Sequence, residues 1–559
     1  MEETRNLIIT ILLSMVIVLG WRYFVAPPEP PKSITLEKPT EQGYIKDHVD
    51  NPAIGKYLDG EHIISQTSNH RIPIRTKNYT GSINLKGGRL DDLKLNNYRK
   101  TIDPGSDGTN ILNPFGSEES FFATFNWLSN NTQITLPSVD TVWAANHEVL
   151  TPEQPLMLTY ENPQGIVFKL KYIVDNNYMF TIEQKVFNHG HDSIKLFPYG
   201  LLNRHHEPSS NQLMILHEGF IGSFENKLKE VSYSDLADAR KKSYKKQTGG
   251  WMGFVDKYWF TSLIPQQNIA YDAYSTYHQA TGDPHQFRTE FIGQPLVIEP
   301  GEIVTSQHHL YSGPKVENIL EDYQRELGLP LFEEAVDYGV LYFLTKPIFK
   351  ALKFIHSMVG NFGVAIILLT ILLKALTYPL ARKSYRSMAK MRDLEPHIKQ
   401  IKEMHEDDPT KLSQELMHLY KKEKINPVSG CFPMLLQLPI FFALYKVLFI
   451  TIEMRHAPFF GWVTDLSAPD PTTIFNLFGV ISWTPPEFLM IGAWPIIMAG
   501  TMLLQQQFNP TPSDPIQAKM MKLLPLVFLF LFKSFPAGLV IYWAVNNILT
   551  VIQQKLINS

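Results

Sequence analysis

The feature that most constrains this chain is an apolar run, long enough to cross a membrane, that contains one lysine. Residues 360–380 read GNFGVAIILLTILLKALTYPL. As a helix they would cover ~30 Å, the thickness of the hydrocarbon core of a bilayer. Lys374 lies inside this run, where an ammonium group costs roughly 2.5–3.5 kcal/mol on insertion scales. The lysine therefore has to be explained by what surrounds it.

Composition separates two unlike regions. Residues 27–330 are polar and rich in turns, whereas residues 357–558 hold several long apolar runs, so the mean hydropathy of −0.11 is an average over both. The net charge of −3 over 559 residues gives no reason to expect a nucleic-acid partner. The one cysteine, Cys431, excludes an internal disulfide, and we interpret it as a packed thiol rather than a reactive one.

The start of the chain predicts a membrane anchor. Residues 6–25 are almost entirely apolar, and Trp21 and Tyr23 suit the far interface. Cleavage after Ala26 would place Phe24 where a signal peptide needs a small residue. We therefore expect an uncleaved signal-anchor transmembrane helix over 1–26, followed by a Pro-rich linker over 27–60.

Residues 61–330 are expected to form a β-sandwich domain. The segments GIVFKLKYIV (165–174) and YMFTIEQKVF (178–187) alternate apolar and polar residues around the turn DNN, which is a hairpin signal. Short strands of this kind recur between turns over about 250 residues. The carboxylates and histidines, among them His205 and His206, show no metal-ligand spacing, and a polar surface explains them better than a catalytic site.

Residues 331–356 predict an amphipathic helix. Its basic positions recur at i, i+4 and i+7: Lys346, Lys350 and Lys353. Its apolar stripe holds Ile348, Phe349, Leu352 and Ile355. A helix of this kind lies along a membrane surface. The alternative is a helix packed on the β domain.

Charge clustering predicts the topology. A transmembrane helix over 357–380 is followed by a strongly basic segment, 381–427, which marks a cytoplasmic helical hairpin with a helix start at Asp408-Pro409. The remaining spans are placed within 428–558, at 429–450, 487–508, 522–535 and 537–557. Both termini and the segment 509–522 then lie in the cytoplasm and the β domain outside.

Two interpretations of Lys374 remain open on the residues alone. In the first, the side chain simply extends to the cytoplasmic interface, since Arg382 lies only ~12 Å further along the helix. The second is a hydrated cavity, lined by Thr370 on the same helical face and by Gln437 in the next span. Further polar groups in the later spans are QQQ (505–507), Tyr542, Asn546 and Asn547. Apart from Glu487, the first residue of the span 487–508, no Asp or Glu occurs within the five predicted spans to neutralise the lysine.

Segments along the whole chain resemble the YidC/Oxa/Alb family of membrane protein insertases, in its Gram-negative bacterial form. The similar segments are TRNLI at the start, GGWMGFVDKYWFTSLIP (249–265), VDYGVLYFLTKPIFKALKFIHSMVGNFG (336–363), INPVSGCFPMLLQLPIFFALYKVL (425–448), DLSAPDP (465–471) and FPAGLVIYWAVNNILTVIQQ (535–554). The resemblance implies a multi-domain membrane protein with an α-helical core of six transmembrane helices in total. It also implies a large periplasmic all-β supersandwich domain and a cytoplasmic helical hairpin.

The resemblance further implies a hydrophilic substrate groove in the helical core. By motif, the groove positions are Lys374, Thr370, Gln437, Tyr542 and Trp543. The family usually has arginine where Lys374 stands, and often a second tyrosine at the position of Trp543. Lysine keeps the charge but loses the planar fork of a guanidinium, which favours a role through charge rather than bidentate binding.

The implied activity is insertion and folding of inner-membrane proteins, alone or with the Sec translocon (SecYEG and SecDF). Other expected partners are nascent inner-membrane proteins, membrane lipids and the ribosome. Because the chain ends at Ser559, soon after the last span, ribosome contact is expected on the cytoplasmic loops. The sequence holds no G-x-x-x-x-G-K-[ST] loop, so we expect no nucleotide hydrolysis, no covalent chemistry, no cofactor and no metal. The alternatives are a transporter or channel, or a carbohydrate-active enzyme on the β domain.

Overall fold

In the computed structural model, the described residues are 57–207, 216–279, 285–405, 408–423, 432–479, 481–483, 485–486, 489–508 and 515–558. The predicted signal anchor, nearly all of the predicted linker, the segment 509–514 and Cys431 lie outside these ranges.

Residues 71–314 form two antiparallel sheets. The first runs in the order β1 (Arg71–Arg75), β2 (Tyr79–Asn84), β3 (Arg89–Arg99), β5 (Phe121–Leu128), β10 (Ile194–His205), β17 (Gln286–Gly293), β16 (Ala270–His278) and β13 (Lys241–Thr248), with β4 (Gly108–Leu112) on β3 and β18 (Leu296–Ile298) on β10. The second runs β12 (Lys227–Ser232), β11 (Gly219–Phe224), β14 (Trp251–Val255), β15 (Trp259–Ile264), β19 (Ile303–Pro314), β9 (Met179–Asn188), β8 (Ile166–Val174), β7 (Leu156–Glu161) and β6 (Ala144–Ala145).

Aromatic side chains fill the space between the two sheets. Trp127 of β5 lies 5.1 Å from Phe168 of β8, measured between ring centroids. Tyr79 of β2 stacks on Phe180 of β9 at 5.6 Å. Large rings bury the most apolar area per side chain, so these contacts across the sheets form the core. The prediction of a mainly β domain is confirmed.

The predicted hairpin is also present. Strands β8 and β9 pair antiparallel from Ile166 opposite Asn188 to Val174 opposite Phe180. In β8 every second residue is buried, as the alternating sequence predicts. Asp175 closes the turn, because its Oδ1 accepts hydrogen bonds from the backbone N–H groups of Asn177 and Met179.

The β domain begins and ends in helices that the strand pattern did not predict. Helix α1 (Gly60–Gln66) precedes β1, α2 (Tyr233–Ala239) follows β12, and α3 (Glu317–Leu327) follows β19. The predicted linker boundary at residue 60 therefore falls on the first residue of a helix. Asp59 explains this start, since its carboxylate accepts from the N–H groups of Glu61 and His62.

The amphipathic helix begins later than predicted. A 3-10 turn occupies Phe332–Ala335, and helix α4 spans Tyr342–Val359 instead of 331–356. The VDYG segment breaks the helix, because Gly339 has a φ of 71° and Asp337 accepts a hydrogen bond from its N–H. The predicted apolar stripe is largely in the protein core: Ile348, Phe349 and Leu352 are buried.

Seven further α-helices follow α4 in the described part of the chain. They are α5 (Phe362–Asp393), α6 (Glu395–Met404), α7 (Pro409–Lys422), α8 (Phe432–Ile450), α9 (Ala493–Gln506), α10 (Pro515–Phe532) and α11 (Ala537–Asn558). The predicted helix start before α7 is confirmed, because the side chain of Asp408 accepts from the N–H groups of Thr410 and Lys411.

Helix α5 departs most from its predicted range. It does not end at residue 380 but continues to Asp393, with Pro379 inside it. The apolar run ends there, but ARKSYRSMAKMRD consists mostly of good helix formers, so the backbone continues unchanged. In the part of the chain that the structure describes, α5 contains the one segment long and apolar enough to pass a test for a membrane-spanning helix, over Phe362–Met391.

The basic face of α4 is paired with carboxylates. Lys346 lies 2.7 Å from Glu333, Lys350 lies 3.2 Å from Glu321, and Lys353 lies 3.1 Å from Glu453. The three lysines thus pair with carboxylates of α3, of the 3-10 turn after it and of the segment that follows α8. This arrangement matches the alternative of a helix packed on the β domain. Most of the side chains that α4 exposes are apolar, notably Phe343, Phe354 and Met358, although Lys350 and Ser357 are exposed too.

A second ion pair joins the connecting segment to the helical core. Nζ of Lys446 on α8 lies 2.6 Å from Oδ2 of Asp337, and the two side chains are 8% and 19% exposed. Burial would raise the pKa of Asp337. The charge and hydrogen bond of Lys446, together with the hydrogen bond from the backbone N–H of His217, outweigh burial and hold the pKa below its usual value.

We expect Asp337→Asn to destabilise this junction, because it removes the carboxylate that lies 2.6 Å from the buried ammonium group of Lys446. Loss of one partner of such a pair costs about 3 kcal/mol. The depressed pKa sets the sign of the pH dependence: the contribution is complete above about pH 5 and is lost as pH falls below about 4. Thermal unfolding of the detergent-solubilised protein should therefore show a deficit at pH 7 that shrinks as the solution is acidified.

The exposed Asp238→Asn exchange is the matched control and should leave the melting temperature unchanged. An Asp337→Asn protein as stable as the wild type at pH 7 would contradict the role of this ion pair.

Candidate functional site

The ammonium group of Lys374 is turned into the helix bundle, where it meets neutral acceptors. Its Nζ donates to Oγ1 of Thr550 on α11 at 2.9 Å and to Oε1 of Gln437 on α8 at a long 3.4 Å. Gln437 in turn donates through Nε2 to the hydroxyl of Tyr542 at 2.7 Å. One lysine side chain therefore connects α5, α8 and α11, and both groups that accept from it are uncharged.

The three helices bring these groups to a common depth. At a rise of ~1.5 Å per residue, Lys374 lies ~18 Å from the first residue of α5 and Thr550 lies ~20 Å from the first residue of α11. Helix α8 runs in the opposite direction, and Gln437 lies ~20 Å from its last residue. A polar layer thus crosses the bundle at a single level, although the residues come from distant parts of the sequence.

A further hydrogen bond holds the backbone of Lys374 against α11. Nε2 of Gln553 donates to the backbone carbonyl of Lys374 at 3.1 Å. Oγ1 of Thr550 also donates to the carbonyl of Asn546 at 2.7 Å, which fixes the direction in which it accepts from the lysine. Thr550 is 3% exposed. The lysine is therefore held by a prearranged set of groups on α11.

The two remaining predicted residues have other surroundings. Oγ1 of Thr370 is buried and donates to the carbonyl of Ile366 in its own helix at 2.6 Å. Trp543 lies in a cluster of rings, 4.6 Å from Phe441 and 4.9 Å from Phe532 between centroids. The structure thus brings Lys374, Gln437 and Tyr542 into one network, and places Thr370 and Trp543 beside other groups.

Sequence reasoning missed Thr550 and Gln553. Both were visible in principle, since Tyr542, Asn546, Thr550 and Gln553 follow one another at helical spacing along one face of α11. The signal is a polar stripe on an otherwise apolar helix.

The site holds groups that can bind a polar segment. It supplies one cation, amide groups and hydroxyl groups, and among the described residues no group of three His, Cys, Asp or Glu side chains could hold a metal ion. A cation whose partners are neutral keeps most of its attraction for an incoming carboxylate, because they carry no charge to cancel its own. The arrangement can therefore attract an acidic or polar segment into an apolar bundle.

Family models cover most of the chain. Residues 354–559 match the model of the 60Kd inner membrane protein, and residues 71–351 match that of the YidC periplasmic domain. Together they account for both the helical and the β region.

Curated relatives match over the full length. The chain is 44% identical to the membrane protein insertase YidC of Rickettsia massiliae and 45% identical to that of Rickettsia rickettsii strain Iowa, with 99% of each chain covered. Among solved structures it is similar to an active YidC insertase with its first transmembrane domain resolved, at 18% identity and a TM-score of 0.35, covering 86% of this chain and 92% of the other. Membership of a family therefore rests on the sequence matches.

Thr550→Val should weaken the network around Lys374, because valine keeps the shape of the side chain but removes the closest acceptor of the ammonium group. The expected cost is about 1 kcal/mol, as for other hydrogen bonds between membrane helices, and lowers the melting temperature by a few degrees. Thr550→Ser retains the hydroxyl and serves as the control. If the valine variant melts together with the wild type, the contact contributes nothing to stability.

Proposed function

The chain belongs to the YidC family of membrane protein insertases, and from this premise we propose that it inserts proteins into the bacterial inner membrane through the polar layer around Lys374. The single observation that supports this most is the cation of Lys374, held by neutral groups from two neighbouring apolar helices. Groups of this kind attract polar segments that cannot enter hydrocarbon unaided.

We propose a chain with six transmembrane helices. These are the anchor in 1–26, the span of 357–380 within α5, and α8, α9, α10 and α11 within 428–558. The linker and the β domain up to residue 330 would then lie in the periplasm, with 331–356 at the membrane surface. The hairpin 381–427 and both termini would lie in the cytoplasm. The exposed apolar side chains of α4 and α10 support contact with lipid.

The proposed mechanism is stabilisation of a crossing segment. A polar leading segment of a substrate enters from the cytoplasm and reaches Lys374, so the remaining dry path is shorter than the full ~30 Å. Lys374 attracts its carboxylates, while Gln437, Tyr542 and Thr550 offer hydrogen bonds in place of water. Thr370 and Trp543 are proposed to line the same groove. No covalent bond forms, and the protein hydrolyses no nucleotide.

Release follows from the hydrophobicity of the substrate. As its apolar segment moves into lipid, each leucine or isoleucine at the centre of the bilayer gains roughly 0.3–0.6 kcal/mol. The about twenty apolar residues of a span together outweigh one weak electrostatic contact at Lys374. A lysine binds a carboxylate without a bidentate fork, which favours a contact that forms and breaks easily.

The proposed partners follow from this placement. They are nascent inner-membrane proteins, lipids, the Sec translocon (SecYEG and SecDF) and the ribosome, the last through the basic cytoplasmic hairpin. No nucleic-acid specificity is proposed. A transporter or channel and a carbohydrate-active enzyme are not favoured, since the curated relatives that match the chain over its full length are insertases.

The proposed topology predicts which side of the membrane two exposed residues occupy. In a Cys431→Ser background, Thr101→Cys on the β domain should react with a membrane-impermeant maleimide applied to spheroplasts. Ser413→Cys on α7 should react only after lysis. Both side chains are exposed, so accessibility within the protein does not confound the comparison. The opposite labelling pattern would invert the proposed topology.

The charge of Lys374 is predicted to matter more than its shape. Lys374→Arg should keep insertion within about twofold, whereas Lys374→Leu should slow it by roughly fivefold, equivalent to about 1 kcal/mol in the barrier. Lys374→Glu should be worse still for substrates with acidic tails, because it repels them. The measurement is protease protection after a short pulse label, with a small substrate whose translocated tail is acidic.

Equal amounts of each variant in the membrane are the control for stability. If the leucine variant inserts this substrate as fast as the wild type, Lys374 has no role in docking. A defect in the arginine variant alone would show that side-chain geometry matters more than charge.

A further inference from the structure

Helix α9 is too short to cross a bilayer by itself. Its 14 residues, Ala493–Gln506, cover ~21 Å, whereas the hydrocarbon core is ~30 Å thick. The end at Gln506 is followed at once by Gln507, so the chain there is already polar. The missing ~9 Å must therefore be supplied at the other end, before Ala493.

The segment before Ala493 is fastened to the start of the helix. Oδ2 of Asp470 accepts from the N–H of Trp494 at 2.8 Å, and Oγ1 of Thr472 accepts from the N–H of Ala493 at 3.0 Å. Further along, the N–H of Ile474 donates to the carbonyl of Ile491 at 3.3 Å. Both ends of the loop that precedes α9 therefore lie beside the first turn of that helix. The loop between these contacts is held beside the end of the helix that falls short.

The described part of this loop, residues 474–479 and 481–483, presents apolar side chains outward. The exposed ones are Ile474, Phe475, Leu477, Phe478, Ile481 and Trp483. Trp483 is 48% exposed and Leu477 is 57% exposed. The sequence holds no charged residue from 471 to 486. Soluble surfaces rarely expose a continuous apolar patch of this kind.

The backbone of the loop adopts a conformation that bulky residues avoid. Leu477 and Phe478 have φ values of 49° and 57°, in the left-handed region. Two contacts hold them there: the N–H of Phe478 donates to the carbonyl of Thr473 at 2.8 Å, and that of Ile481 donates to the carbonyl of Asn476 at 3.0 Å. These bonds pair polar groups within the turn and leave its apolar side chains exposed.

We propose that residues 474–479 and 481–483 insert into the boundary between headgroups and acyl chains of the periplasmic leaflet, and supply the apolar thickness that α9 lacks. This rests on the membrane placement in the proposed function. Phospholipid is the occupant because the patch continues a helix that ends short of the interface. Trp483 matches the aromatic belt of membrane proteins, and Phe475, Leu477 and Phe478 suit shallow burial at the headgroup boundary. The internal hydrogen bonds allow irregular backbone at that depth, where water still reaches the headgroups.

The test places a fluorescent probe on the loop of the full-length protein. Leu477→Cys, and separately Ile481→Cys, are labelled with an environment-sensitive dye in a Cys431→Ser background. The proteins are reconstituted in vesicles of phosphatidylethanolamine as the major lipid and phosphatidylglycerol as the minor one. Quenching is measured with acyl chains that carry a spin label near the headgroup, and separately with iodide in the water. Phe530→Cys on α10 is the lipid-facing reference, and Thr101→Cys on the β domain is the water-facing reference.

Both loop probes are expected to be quenched by the shallow spin label at least twofold more than the Thr101 probe, and to be shielded from iodide. Loop probes that behave as the Thr101 probe does, while the Phe530 probe is quenched by lipid, would overturn the loop insertion and leave the membrane placement intact. Shielding from iodide without quenching by lipid would show that protein covers the loop, and would also overturn it. A Phe530 probe that lipid does not quench would instead contradict the proposed membrane placement itself.

Discussion

A cation held between apolar helices needs acceptors, and those around Lys374 fix how three helices stand against each other. Thr550 and Gln437 reach the ammonium group from α11 and α8, and Gln553 reaches the backbone carbonyl of the same residue. Since the ammonium group would lose these hydrogen bonds if the helices shifted, the helices gain most at the register that brings Thr550 and Gln437 to Lys374. Neutral acceptors have a further effect: they hold the cation without cancelling its field.

Charges at the junction with the β domain follow the opposite rule. The lysines of α4 are matched by Glu333, Glu321 and Glu453, and Lys446 is matched by Asp337. These pairs fasten the β domain to the helical core and leave α4 with an exposed face that is mainly apolar. The protein thus pairs its charges where the β domain and the helical core contact each other. It surrounds Lys374 with neutral groups, where a transient partner is proposed to bind.

The sequence predicted features whose causes are local. The hairpin of β8 and β9 follows from alternation around Asp175, and the start of α7 follows from Asp408 and Pro409. The start of α4 was misplaced because Gly339 and Asp337 form a turn inside an otherwise helical pattern. The end of α5 was misplaced because the end of an apolar run marks where the helix leaves the hydrocarbon, and does not mark where the helical backbone ends. Within the site, Lys374, Gln437 and Tyr542 were found by chemistry, while their contact with Thr550 depends on how distant helices pack.

The length of α5 has a mechanical consequence. A helix of 32 residues is a rod of ~48 Å that carries Lys374 in its first half and the beginning of the basic hairpin region in its second. A force on the second half of this helix would rotate or tilt the first half, unless the helix bends between the two halves. Pro379 lacks an N–H for the carbonyl of Ala375, so the rod is most compliant one turn beyond the lysine. A bend of α5 at this point would leave the ammonium group on its hydrogen bond to Thr550 of α11 while the basic end of the helix changes direction.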